Sequence, residues 1–162
     1  MSSNAVVEVQ VRALAAADGG CAVFLGNAEK VFLILVDQSV GVAIALAIQG
    51  TPTERPLTHE LVATVLRALG AKLERVVINN FEHDTFFATL VVTAENELLR
   101  KRLLELDARP SDCIALAARQ GAPIYVDRDV WNQVEDVSDE LRKLRSEGAS
   151  GPGEWNEPDD AP

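Results

Sequence analysis

The chain has 162 residues, 48% of them hydrophobic and 25% charged, with a formal net charge of −10. That length and composition suit an ordinary globular fold with a sizeable core, and the acidic balance excludes the general basic attraction by which most proteins grip nucleic acid backbones. Cys21 and Cys113 are far apart, lie in apolar stretches and match no metal spacing, so buried free thiols in a reducing compartment, the cytoplasm, are expected.

The N-terminus alternates polar and apolar residues without a basic region and reads as a strand, not a signal peptide. No apolar run approaches the roughly 18 residues of a membrane span, so no membrane partner is expected. Val7, Val9 and Val11 face one side of this first strand. CAVFLG and KVFLILV follow as two more strands. SVGVAIALAIQG, residues 39 to 50, predicts a helix capped by Ser39 and stopped by Gly50, with Gly41 weakening its first turn. In the next helix, THELVATVLRALG, Thr58 is the expected cap, Glu60 complements the dipole, and Leu61, Val65, Leu66 and Leu69 form an apolar stripe.

LERVVIN and TFFATLVVT predict an antiparallel hairpin joined through NNFEHD, with His83 exposed and Asp84 in the turn. LLELDA is a third strand of this group, SDCIALAARQG a helix capped by Ser111, PIYV a closing strand, and VWNQVEDVSDELRKLRSEG one or two surface helices. Strands without regular alternation with helices predict an α+β fold, its sheet mixed or largely antiparallel, with three to four helices. The expected organisation is a domain over 1–132, a helical extension over 133–147 and an acidic disordered tail over 148–162. That tail carries four acids and no base among Gly, Pro and Ser; without it the charge is −6.

Two Arg-Pro dipeptides, in ERPLTHE and ARPSDC, each place an arginine beside a helix start. Free N–H groups and the positive dipole end favour an anion there, and a guanidinium can grip phosphate or carboxylate with paired hydrogen bonds. Proline, a hydroxyl cap and a first-turn acid also make an ordinary helix start, with Arg109 paired to Asp107 or Asp112. His59, in the first turn, suits proton abstraction or a plain hydrogen bond. Asp107 and Arg109 point to one face of an extended segment. Asp107 and Asp112 could share a divalent cation, Mg²⁺ or Mn²⁺, with Glu60 as third oxygen, if the two helix starts meet. Nucleotide-fold, serine-hydrolase and zinc motifs are absent from the sequence.

Taken in order, VAIALAIQG, RPLTHEL, LRALGAKLERVVI, TFFATLVV and LDARPSDCIALAARQGAPIYV with the following VW resemble the bifunctional nuclease family of bacteria and plants, over about residues 5 to 132. The resemblance implies hydrolysis of phosphodiester bonds in RNA, DNA or both. By motif it carries over Arg55, Thr58, His59 and Glu60 from RPLTHE, and Asp107, Arg109, Ser111 and Asp112 from DARPSD. The expected roles are His59, Asp107 and Asp112 in catalysis, Arg55, Thr58, Arg109 and Ser111 at the substrate, and Asp107, Asp112 and Glu60 at the cation. Val40 and Gln49 depart from acids common in the family. The alternative expectation is a non-catalytic module on the same scaffold that binds an anion or a protein. A homo-oligomer is expected from the apolar strands and scarce basic residues.

Overall fold

The computed structural model describes residues 5–147; the expected acidic tail lies outside them. Seven strands and five helices form an α+β fold whose sheet is antiparallel except for one strand pair. The described chain divides into two compact units, one of residues 5–9 and 53–133, the other of 10–52 and 134–147. Strand β1 (Val6–Ala17) contributes to both: its first residues pair with β7 (Ile124–Asp127), and Gln10 onward pairs with β2 (Gly20–Gly26). The Ala-rich residues after Arg12 extend this strand, because β2 supplies their backbone partners.

In the first unit the strand order is β1, β7, β4 (Ala71–Glu82), β5 (Thr85–Glu95) and β6 (Lys101–Ala108), with β4 and β7 parallel. The β4–β5 hairpin is tighter than NNFEHD suggests. Both strands continue until only His83 and Asp84 remain, at φ 52° and 58°, the doubly positive pair that matches the twist of a two-residue hairpin. Helix α2 (Thr58–Ala68) packs on α3 (Pro110–Gln120) and β4, and α3 covers β4 and β5. Cys113 through Ala117 are all buried, so α3 is nearly enclosed. By contrast Ala63 is the buried residue of α2, and Leu61, Val65 and Leu69 of the apolar stripe are exposed. The short helix α4 (Arg128–Gln133) buries Val130 and Trp131.

The second unit contains the antiparallel order β3 (Val31–Val36), β2 and β1, with α1 (Gln38–Gln49) against β2 and α5 (Ser138–Ser146) against β3. The helix predicted from Ser39 starts instead after Asp37, with no side-chain cap, and ends as expected at Gly50, at φ 65°. Val40, Gly41, Ile44 and Ala45 form its buried face. Leu141 of α5 joins Ala13, Ala22, Phe24 and Val31 in one apolar cluster. Among the described residues no helix is long and apolar enough to cross a membrane.

Gly41 is required by packing. A Cβ there would lie 2.6 Å from the Cβ and 2.9 Å from the Sγ of Cys21. Overpacking of this kind costs about 1–3 kcal/mol, more than the roughly 0.5–1 kcal/mol that alanine gains over glycine inside a helix. Gly41→Ala is therefore expected to lower the thermal midpoint by a few degrees, measured by circular dichroism; a higher midpoint would show the contact to be slack.

Candidate active site

At α3 the Arg-Pro step fixes where the helix begins. A residue before proline is held out of the helical region, and Arg109 is accordingly extended at φ −66° and ψ 141°, making it the N-cap of α3 with Pro110 as the first helical residue. Proline suits that position because its missing N–H would have no partner there. Ser111 is thereby moved inside the first turn and buried, and it is not the cap. In α2 the cap is Leu57, not Thr58; the Glu60 carboxylate accepts the Leu57 N–H at 3.1 Å and the Thr53 hydroxyl at 2.8 Å.

The packing of α2 on α3 brings the two helix starts together. His59 Nε2 lies 2.9 Å from Asp112 Oδ1, and Arg109 donates from Nε to Asp112 Oδ2 at 2.8 Å and from a terminal nitrogen to Oδ1 at 3.4 Å. Side-chain exposures of 15% for His59, 30% for Asp112 and 62% for Arg109 grade from a sheltered imidazole to an arginine that reaches solvent. Burial raises the Asp112 pKa, but the hydrogen bonds and positive charges of Arg109 and His59 outweigh it and hold the carboxyl below its ordinary value. Asp112 is therefore an acceptor, so the proton of a neutral His59 ring sits on Nε2 and the lone pair on Nδ1.

A second joint lies beside the first. Glu60 Oε1 is 2.6 Å from an Arg119 terminal nitrogen, and the Thr53 and Leu57 hydrogen bonds lower the Glu60 pKa further than burial raises it. Arg119, in the last turn of α3, carried no local motif; only the fold of α3 along α2 identifies it. Asp107 is exposed on β6 opposite Thr89. Together with Asp112 it adds negative charge near Cys113, whose thiol is pushed up to about 12, mainly by burial. Neither that thiol nor Cys21, raised to about 11 by burial, is poised as a nucleophile. Arg55 and Thr58 are exposed near the start of α2, and among the described residues no side-chain bond engages either.

The residues do not fit the expected cation. Glu60 is directed at Arg119, Asp112 at Arg109 and His59, and among the described residues no three His, Cys, Asp or Glu side chains gather as metal ligands. Val40 is buried in α1 of the second unit, and Gln49 is exposed at the end of that helix.

Residues 23–139 match the family described as the bifunctional nuclease domain. The chain belongs to that family. Two uncharacterized proteins of Mycobacterium tuberculosis, from strains CDC 1551 / Oshkosh and ATCC 25618 / H37Rv, are each 39% identical over 118 residues, covering 70% of this chain and 67% of theirs. Bifunctional nuclease 2 of Oryza sativa subsp. japonica is 27% identical over 104 residues, 64% of this chain and 31% of the rice protein. The family match spans the elements that carry His59, Glu60, Arg109 and Asp112.

Because the folded Asp112 carboxyl titrates below the ordinary value of about 3.9, its cluster contributes stability that is present above that pH and lost as pH falls through the lowered value. The thermal advantage of the wild type over Asp112→Asn is expected to hold from pH 7 to about 4 and to shrink below. Melting curves across that range read it, and a difference independent of pH would contradict an ionised Asp112.

Proposed function

We propose that this protein is a nuclease that hydrolyses phosphodiester bonds of RNA or DNA, with His59 as the base. The observation that carries the reading is the His59–Asp112–Arg109 cluster, in which one ionised carboxylate orients the imidazole and holds a guanidinium beside it. Membership of the bifunctional nuclease family and likeness to a rice protein of that name support the substrate class.

In this mechanism His59 Nδ1 takes a proton from the attacking water as its oxygen bonds to phosphorus. The opposite P–O bond breaks, giving a phosphate monoester and an alcohol, and the imidazolium returns the proton to the leaving oxygen or to solvent. Asp112 stabilises the charge that forms on the ring. Arg109, exposed and anchored to Asp112 through Nε and a terminal nitrogen, places its positive charge beside the imidazole, where it attracts the phosphate and opposes the charge that builds there. Exposed Arg55, beside the start of α2, supplies a second phosphate contact. No step runs through a cation.

Labelled single-stranded RNA and DNA, incubated with Mg²⁺, Mn²⁺ or EDTA, provide the test. His59→Ala is expected to lower kcat by roughly 10²- to 10⁴-fold, the usual range for a general base, and Arg109→Ala to raise KM as well. Cleavage that vanishes in EDTA but survives His59→Ala would replace this reading with cation-driven chemistry. A wild type that cuts neither substrate under any condition would leave the scaffold as a non-catalytic binding module.

A further inference from the structure

A cleft of about 640 Å³ opens between α2, the start of β4 and the end of α3, lined by Glu60, Thr64, Arg67, Lys72, Arg119 and Gln120, with two alanines completing it. Its volume is that of a small-molecule site. Three cations around one carboxylate are notable in a chain of net charge −10. Glu60 answers Arg119 at 2.6 Å, whereas Arg67 and Lys72 have no ion pair among the described residues. A helix dipole accounts for part of this: Arg67 and Arg119 lie in the last turns of their helices, where positive charge is favoured. Lys72 stands on a strand, where that explanation does not reach, and it also borders a neighbouring groove lined by Glu74, Glu95 and Lys101.

The lining sets three cations against one carboxylate, and an anion of more than one negative charge is its best complement. A phosphate monoester carries about −1.5 to −2 at neutral pH, against a single negative charge for a backbone phosphodiester. Thr64 and Gln120 add neutral hydrogen-bonding groups, and no aromatic ring is present on which a base would stack. The cleft thus suits a terminal phosphate and has no device for reading sequence. Its carboxylate, Glu60, is the residue next to His59 in the sequence.

We propose that this cleft binds the terminal phosphate monoester of a nucleic acid strand through Arg67, Lys72 and Arg119. Assigning the phosphate to a strand end rests on the nuclease reading; binding of a phosphate monoester does not.

The test is fluorescence anisotropy with one short labelled oligonucleotide carrying a 5′-phosphate, a 3′-phosphate or hydroxyl ends, using full-length His59→Ala protein to stop turnover. One phosphorylated end is expected to bind about tenfold or more tightly than the hydroxyl form, as charge-assisted hydrogen bonds imply, and inorganic phosphate should compete. Arg67→Ala and Lys72→Ala should each erode the preference, while Arg67→Lys, which keeps the charge, should retain most of it; circular dichroism checks that each variant is folded. Equal affinity for phosphate and hydroxyl ends, or a preference unchanged in the folded Arg67→Ala/Lys72→Ala double variant, would overturn the inference. Wild-type cleavage without an end preference defeats this proposal alone; an end preference without wild-type cleavage defeats the nuclease reading alone.

Discussion

A carboxylate that is two-thirds sheltered from water has to be compensated, and in this protein the compensation of Asp112 is what joins two helix starts. Oδ1 meets His59 from α2, and Arg109, the residue that caps the helix of Asp112, reaches both oxygens. Were Asp112 neutral or turned outward, the imidazole would lose its orienting partner and Arg109 would lose the hydrogen bond that fixes its guanidinium. The cluster serves packing and chemistry through the same bonds. Its arrangement originates in the Arg-Pro step, because proline forces Arg109 into the extended region and so places Asp112 in the first turn, facing α2.

The Glu60–Arg119 joint, one residue along α2, explains how an acidic chain keeps cations available. Two of the acids expected at a cation are each matched to a particular arginine: Asp112 to Arg109, and Glu60 to Arg119. The consequence is that Glu60 steadies Arg119 without cancelling Arg67 or Lys72, and the cleft beside it keeps a positive surplus. Net charge is a property of the whole chain, whereas anion recognition depends on a few groups at short range, so −10 overall and a locally basic cleft are compatible.

The second unit follows a simpler rule. Its helix α1 is apolar and closely fitted to β2, with glycine at the point where Cys21 leaves no room for a side chain. Val40 belongs to that buried face. An acid at the same position would need a partner or pay a desolvation cost, so valine there is consistent with a helix specialised for packing.

Much of the fold was legible along the chain, since strand alternation, helix-stopping glycines and Arg-Pro steps are local signals set by backbone geometry. Those signals predicted the α+β class, the hairpin and both helices carrying RPLTHE and DARPSD; they put the caps on hydroxyls, whereas Pro110 as first helical residue puts the α3 cap on Arg109, and in α2 Glu60 closes the start on the Leu57 N–H. The stripe of Leu61, Val65 and Leu69 is exposed; periodicity reports that a helix has an apolar face, not what lies against it. By itself the sequence determined that two helices open shortly after an Arg-Pro step and which charged residues stand near those starts. Only tertiary structure decided that His59 would meet Asp112 across 53 positions of chain and that Arg119 would answer Glu60, since such pairings arise from packing α2 along α3, which no local pattern encodes.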